Sequence, residues 1–140
     1  MSTQVEETLV LVKPDGVARN LTGEILRRIE AKGYSLVDMK LLQAERSLLA
    51  AHYAEHEGKP FYEPLIEFME SGPIVAFRVA GNRVIEGFRA LAGTTDPTTA
   101  APGTIRGDLG RDWGVKVQQN LVHGSDSPES AATELALWFD

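Results

Sequence analysis

A histidine near the end of the chain stands in a setting that can support chemistry. In the stretch NLVHGSD, His123 ends an apolar run and is followed by Gly124, Ser125 and Asp126. A histidine here can be a buried packing residue, a metal ligand or a nucleophile, because a neutral imidazole keeps one nitrogen free of a proton. Binding sites often form where strand ends face helix N-termini. His123 is therefore a candidate, and other residues must separate its three roles.

A glutamate eleven residues later could orient this imidazole. Glu134 lies on a predicted helix beside the apolar stripe that contains Ala131 and Trp138, so its carboxylate is expected to point toward the body of the protein. A partly buried carboxylate needs a hydrogen-bond donor. A histidine N–H would serve, and the pair would fix the tautomer of the ring. These residues alone leave a catalytic histidine and a satisfied strand-end histidine equally open.

Several cations stand where an anion could be held. Lys13 shares a strand face with two leucines, so it either reaches the rim of the protein or points into a pocket. Arg89 lies near the end of a predicted helix, where it could simply complement the helix dipole. Arg106 lies in the segment PGTIRGD, and a loop arginine flanked by glycines is typical of a binding residue. Thr95 adds a hydroxyl in the same region.

Other motifs carry weaker signals. His52 and His56 are spaced i, i+4 on a predicted helix, but the zinc-protease pattern needs a glutamate directly after the first histidine and Glu55 stands in the fourth position. This spacing favours an exposed polar helix face over a metal site. Phe61 either packs at a helix start or stands exposed as a platform for a flat ring. The chain contains neither a P-loop nor a G-x-G-x-x-G motif, so phosphate binding must use side chains.

Composition narrows the class of protein. Residues 1–140 are 43% hydrophobic and 24% charged, which is typical of one globular domain. The absence of cysteine excludes disulfides, thiolate metal sites and cysteine nucleophiles. A net charge of −6 argues against a broad nucleic-acid surface. The early apolar run is too short for a signal peptide or a membrane span, so a cytoplasmic location is expected.

The pattern of apolar residues predicts four strands with helices between them. Strands are expected at 8–13, 34–42, 74–79 and 115–122, and helices at 21–32, 47–56, 61–70, 83–91 and from 127 onward, with a turn at 14–16. Residues 92–114 form a long loop rich in glycine, proline and threonine, which is unusual unless the loop is functional. The order β-α-β-α-α-β-α-β-α fits an α/β (α+β) ferredoxin-like sandwich, in which helices cover a four-stranded antiparallel sheet.

Taken together, these segments resemble one known family. The stretches VKPDGV, HYAEHEGKPF, SGPIVA, TDPTTAAPGTIRGD and NLVHGSDSPESAATELALWF closely resemble nucleoside diphosphate kinases, over about residues 8–139. The N-x-x-H-G-S-D motif with its downstream glutamate is the most specific of them. The resemblance implies a ferredoxin-like fold and transfer of the γ-phosphate of a nucleoside triphosphate to a nucleoside diphosphate. It also implies Mg²⁺ bound mainly through the nucleotide phosphates, with no strong protein ligand.

The resemblance also implies roles for individual residues. It places the nucleophile at His123, the glutamate that orients it at Glu134 and a neighbouring serine at Ser125. Phosphate contacts fall on Arg89, Thr95 and Arg106, and contacts to both ribose and phosphate fall on Lys13 and Asn120. The base-stacking ring falls on Phe61, a supporting tyrosine on Tyr53 and a base-site leucine on Leu65. Lys13 also counts among the expected catalytic residues. The segment between Asp108 and Asn120 is longer than in family members, so the match there is loose.

The resemblance leaves alternatives of function and assembly. It predicts a homo-oligomer, with a hexamer favoured over a tetramer, and places the long loop between subunits. A non-catalytic nucleotide-binding scaffold of the same fold is the main alternative function. A metal-dependent hydrolase built on His52 and His56 is the second.

Overall fold

The computed structural model describes residues 5–115 and 119–139. Within them the strands are β1 (Val5–Val12), β2 (Ser35–Leu42), β3 (Ile74–Asn82) and β4 (Val122–Gly124). The α-helices are α1 (Pro14–Ala18), α2 (Thr22–Ala31), α3 (Arg46–His52), α4 (Tyr62–Glu70), α5 (Val84–Ala92), α6 (Ile105–Leu109) and α7 (Pro128–Phe139), and a 3₁₀ turn spans Ala54–His56.

The strands form one antiparallel sheet in the order β2-β3-β1-β4. The apolar strand β1 lies inside the sheet, where both of its edges are paired. Its residue Leu11 is opposite Ala76 of β3 on one side and His123 of β4 on the other. β1 lies between β3 and β4, and β2 pairs with β3 at the other side, which is the arrangement of the split βαβ fold. The predicted ferredoxin-like sheet is confirmed.

Helices cover both faces of the sheet, as predicted. Because side chains alternate along a strand, β1 contributes Val10 and Val12 to one core and Leu9 and Leu11 to the other. The first core also receives buried residues of α2, α5 and α6, and the second receives those of α3, α4 and α7. Lys13 follows the last residue of β1, so the central strand delivers it to an edge of this double core.

Two predicted elements were wrong near the site. The sequence PDG forms the start of α1 instead of a free turn, with Pro14 in its first turn, where a missing N–H costs no hydrogen bond. The last strand begins only at Val122, because Leu121 adopts φ 74° and interrupts the extended run predicted from Val115. Residues 116–118 of that predicted strand lie outside the described residues.

Other boundaries moved by less. The helix predicted over 47–56 begins at Arg46 and ends at His52, and the 3₁₀ turn follows it. The helix predicted over 83–91 begins at Val84, because Asn82 belongs to β3 and Arg83 at φ 53° makes the turn into α5. The long loop contains α6, whose Thr104 Oγ1 accepts a hydrogen bond from the Gly107 N–H, 2.9 Å away.

None of the helices in the described part of the chain is both long enough and apolar enough to cross a bilayer.

Candidate active site

An open cleft of about 930 Å³ lies where the ends of β1 and β4 meet α3, α5 and α7. Eight residues to which the family resemblance assigns a role line it: Lys13, Tyr53, Arg89, Thr95, Arg106, Asn120, His123 and Glu134. The fold thus brings together side chains that are more than 100 residues apart in sequence. Ser125, Phe61 and Leu65 lie outside the lining of the cleft.

His123 is held by a carboxylate. Its Nε2 lies 2.8 Å from Glu134 Oε1, and the two side chains are 20% and 14% exposed. A carboxylate accepts hydrogen bonds, so this contact places the ring proton on Nε2 and leaves the lone pair on Nδ1. Burial raises the pKa of Glu134, but the contact with His123, followed by His52 and the Ser125 hydrogen bond, outweighs it, and the net pKa is lowered. Glu134 is therefore ionised near neutral pH.

Ser125 ties this pair to the central strand. The side chain is fully buried, and its Oγ donates to Glu134 Oε1 over 2.8 Å while accepting the Leu9 N–H over 3.2 Å. The Ser125 N–H in turn donates to the Leu9 carbonyl. A hydroxyl can donate one bond and accept two, so it can serve both partners at once. Ser125 thereby fixes the carboxylate that fixes His123.

Asn120 contacts two cations of the cleft, Lys13 through its side chain and Arg106 through its backbone carbonyl. Lys13 Nζ donates to Asn120 Oδ1 over 2.7 Å, and Asn120 Nδ2 donates to the Thr95 carbonyl over 3.0 Å. Lys13 is only 8% exposed. Burial first and the charge of Arg106 second lower the pKa of Lys13 to about 8, although Asp15 opposes them. The ammonium is poorly solvated, so an anion entering the cleft would gain strongly from it.

Arg106 is fixed by three backbone carbonyls. Its Nε, Nη1 and Nη2 donate to the carbonyls of Asn120, Gly93 and Val122 over 3.1, 2.9 and 2.6 Å. Burial, followed by the charge of Arg89, lowers the pKa of Arg106 to about 10, so it is charged at neutral pH. Arg89 is exposed in the last turn of α5 and lines the same cleft. Two arginines therefore face the cleft, one rigid and one solvated.

A strained turn precedes β4. Leu121 adopts φ 74°, and the Val122 N–H donates to the Asn120 carbonyl over 2.8 Å, which closes a γ-turn. The Leu121 N–H donates to Asp15 Oδ2 over 3.2 Å, and its carbonyl accepts the Lys13 N–H. A positive φ is unfavourable for a branched side chain. These bonds hold the turn, which aims Asn120 and His123 into one cleft.

Sequence reasoning missed Asp15. Its side chain is 8% exposed, and burial raises its pKa against the opposing charge of Lys13. The residue lies within the quoted segment VKPDGV but showed no signal of its own there. Its partner is Leu121, 106 residues away, and no local pattern encodes that contact.

His52 was predicted on an exposed helix face, and this was wrong. The side chain is half-buried, and its Nδ1 accepts a hydrogen bond from Trp138 Nε1 over 3.0 Å. Its ring lies edge-to-face with that of His123, with centroids 4.7 Å apart. Burial first and His123 second lower the pKa of His52 to about 3, so it is neutral in the physiological range.

His52 and His56 do not form the metal site of the hydrolase alternative. Among the described residues, the group with metal-binding potential is His52, His123 and Glu134, with ligand atoms within 4.8 Å of one another. Each of these three side chains already makes a hydrogen bond, in the His123–Glu134 pair or in the Trp138–His52 pair. His56 instead faces Lys59 and Phe61.

The remaining predicted residues lie at the margin. Phe61 is 47% exposed, and its ring contacts that of His56, which lines the cleft. Leu65 is half-buried on α4 and packs against the second core. A Cβ built on Gly124 would lie 2.5 Å from Phe88 Cδ2. The glycine therefore makes room for Phe88.

Known proteins are similar to this chain in sequence. The sequence model of the nucleoside diphosphate kinase family matches residues 6–140. Nucleoside diphosphate kinases from Saccharopolyspora erythraea and Streptomyces avermitilis are 60% and 58% identical over 135 residues, which are 96% of this chain and 96% of each relative.

Two solved structures are also similar. A halophilic nucleoside diphosphate kinase from Halobacterium salinarum in complex with CDP has a TM-score of 0.92 and 45% identity, covering 98% of this chain and 89% of its own. A nucleoside diphosphate kinase family protein from Babesia bovis has a TM-score of 0.89 and 45% identity, covering 96% and 88%. The chain belongs to the nucleoside diphosphate kinase family.

Proposed function

We propose that the chain transfers the γ-phosphate of a nucleoside triphosphate to a nucleoside diphosphate through a phosphohistidine on His123. Family membership makes the chain a nucleotide phosphotransferase. The observation that carries the assignment to His123 is its 2.8 Å contact with Glu134, because this contact leaves Nδ1 with a free lone pair inside the cleft.

In the first half-reaction, the Nδ1 lone pair forms a bond to the γ-phosphorus. The bond from that phosphorus to the bridging oxygen breaks, and the nucleoside diphosphate leaves with the electron pair. The ring keeps its proton on Nε2, so it becomes positively charged, and the ionised Glu134 stabilises that charge. In the second half-reaction, a terminal phosphate oxygen of an acceptor diphosphate forms a bond to the same phosphorus, the P–Nδ1 bond breaks, and its electron pair returns to Nδ1, which restores neutral His123. Such an exchange gives ping-pong kinetics.

The cations of the cleft suit this reaction. Phosphoryl transfer needs positioning and positive charge more than covalent assistance. Lys13, Arg89 and Arg106 bring that charge to one cleft of a protein whose net charge is −6. Asn120 holds Lys13 through a 2.7 Å bond and would give the ammonium a fixed position toward the phosphates.

Mg²⁺ enters this proposal as part of the nucleotide substrate. The cleft residues with metal-binding potential include two histidines, and magnesium prefers an oxygen shell. An ion carried by the nucleotide phosphates suits such a cleft better than a protein-held ion. Bound in this way, Mg²⁺ would neutralise phosphate charge during transfer.

Phe61 is the proposed platform for the base. Its ring is 47% exposed beside the cleft, and stacking tolerates every base because each has a π-face. Leu65 lies one helical turn further along, on α4. We propose that these two residues and Tyr53 border the nucleoside, while the phosphates lie among the cations.

Labelling with [γ-³²P]ATP and Mg²⁺ tests this function. We expect label on His123 that is released by acid and retained in base, and that passes to added nucleoside diphosphate. His123→Ala should take up no label while keeping its fold. The scaffold alternative predicts nucleotide binding without label. Label and exchange activity that persist in His123→Ala would refute the proposal.

We also propose a homo-oligomer, with a hexamer as the expected form. The edge strand β2 exposes Val37, Met39 and Leu41, which are 52%, 47% and 67% exposed. Met39 and Leu41 pair with Phe77 and Val75 of β3, so they extend the first core to an uncovered edge. Long apolar edges are usually protected in native proteins. Light scattering on the wild type and on Leu41→Lys tests whether association uses this edge. Six or four chain masses would separate a hexamer from a tetramer. A wild-type monomer would refute the oligomer.

A further inference from the structure

One hydrogen bond does not fix an imidazole completely. The bond from His123 Nε2 to Glu134 lies at the far end of the ring and sets the direction in which the ring points. Rotation of the ring about Cβ–Cγ moves Nε2 little but swings the plane that carries Nδ1. Terminal torsions of this kind are broad in histidine. A nucleophile with a directional lone pair needs this twist to be held as well.

A second histidine, His52, makes an edge-to-face contact with the His123 ring. The rings of His52 and His123 have centroids 4.7 Å apart and an interplanar angle of 75°. A T-shaped contact of this kind resists rotation of either ring, because a turn of one drives it into the other. The same His52 ring is edge-to-face with Tyr53, at 4.6 Å, and with Trp138, at 5.7 Å.

His52 is itself held firmly. Trp138 is fully buried in the second core, and its Nε1–H donates to His52 Nδ1 over 3.0 Å. Trp138 lies four residues after Glu134 on α7, so both project from the same face of the helix. One face of α7 therefore acts on His123 in two ways. Glu134 bonds to its Nε2, and Trp138 bonds to His52, whose ring packs against the His123 ring.

We propose that His52 is a positioning residue, which holds the twist of the His123 ring by packing and so keeps Nδ1 aimed at the phosphorus. This inference rests on the proposed role of His123 as the nucleophile. The role belongs to the ring of His52 and not to its charge. A phenyl ring in its place should therefore work, whereas a side chain without a ring should not.

The test measures the rate at which one turnover of ATP labels the protein, by rapid quench at saturating nucleotide. An edge-to-face pair is worth about 2- to 13-fold in rate if it is realised in the transition state. His52→Ala and His52→Leu should label more slowly by about that factor, with an unchanged dissociation constant for ADP. His52→Phe should restore most of the rate. Leu49→Val, a buried change one turn earlier on α3, is the control for general loss of packing and should label at the wild-type rate.

Each outcome decides the matter. Slow labelling in His52→Leu with recovery in His52→Phe supports the proposal, even if His52→Ala fails to fold. Wild-type labelling in His52→Leu overturns it, and so does equal impairment of His52→Phe and His52→Leu, since the nitrogens would then matter and not the ring. Labelling that survives in His123→Ala would instead refute the underlying nucleophile, so the two failures are distinguishable.

Discussion

Substitutions at Glu134 can separate the two effects of its carboxylate on His123. The carboxylate accepts a hydrogen bond from Nε2–H, which fixes the tautomer of the ring. In the proposed reaction its negative charge also stabilises the positive charge that the ring gains on phosphorylation. Glu134→Gln keeps a carbonyl oxygen that can accept from both Nε2 and Ser125 Oγ, but removes the charge. Glu134→Ala removes both the acceptor and the charge.

The structure sets the size of each effect. The 2.8 Å contact is a hydrogen bond to a charged group that is 14% exposed, and such bonds are worth about 1.5–3 kcal/mol net. Loss of the whole interaction in the transition state corresponds to about a 10- to 150-fold slower phosphorylation. We expect Glu134→Ala to fall near the upper end of that range. Glu134→Gln should fall near the lower end, because only the contribution of the charge is lost.

The assay is single-turnover transfer of label from [γ-³²P]ATP, with the affinity for ADP measured separately. Both variants should lose labelling rate and keep nucleotide affinity, since Glu134 contacts His123 and Ser125 and no cation of the phosphate site. Glu129→Gln is the matched control, because Glu129 is exposed in the first turn of the same helix. It should label at the wild-type rate.

Two results would refute this reasoning. If Glu134→Ala phosphorylated at more than half of the wild-type rate, the carboxylate would not orient the nucleophile. If Glu134→Gln were as slow as Glu134→Ala, an acceptor at this position would be worth nothing, and the tautomer argument would be wrong.

Three further predictions concern Lys13, Arg106 and Gly124. The Lys13 ammonium has a pKa of about 8, so it loses its charge as the pH rises above 8. The affinity for ADP, measured by calorimetry, should therefore fall by up to tenfold per pH unit above about pH 8. An affinity that stays constant up to pH 9.5 would contradict this. Arg106→Lys keeps the charge but cannot reach three carbonyls, and should lower the free energy of unfolding in urea by about 3 kcal/mol. Arg111→Lys, at an exposed arginine stacked on a tryptophan, should change it by less than about 0.5 kcal/mol. Gly124→Ala places a Cβ against Phe88 and should cost about 1–3 kcal/mol in the same assay, and a neutral result would show that Phe88 can move.

Much of the fold could be predicted because its signals are local. The strand β1 is a continuous apolar run, α2 has apolar residues at helical spacing, and Ser127 and Pro128 mark the start of α7. Ser127 Oγ accepts the Ser130 N–H over 3.0 Å, as a capping residue should. The position of Glu134 beside an apolar stripe was likewise enough to predict that it points inward.

The errors at Leu121 and His52 share a physical cause, which is long-range contact. The apolar alternation before Asn120 favoured a strand, but Leu121 makes a γ-turn because Asp15 and Lys13 bond its backbone from the far side of the sequence. The polar pattern around His52 favoured an exposed face, but Trp138 comes from another helix and buries it. A sequence pattern describes neighbours along the chain, whereas Asp15 is 106 residues from Leu121 and Trp138 is 86 residues from His52.

The burial of Lys13 explains why the cleft is suited to a charged ligand. Lowering its pKa from 10.5 to about 8 means that the folded protein holds this ammonium at a cost of about 3 kcal/mol below pH 8. This cost is the net result of burial and of the charge of Arg106, after the opposing charge of Asp15 has offset part of them. A phosphate group among these cations would replace the lost solvation, so binding energy is available that a solvated lysine could not supply. The same desolvation that lowers the stability of the fold would therefore strengthen the proposed binding of nucleotide phosphates at Lys13.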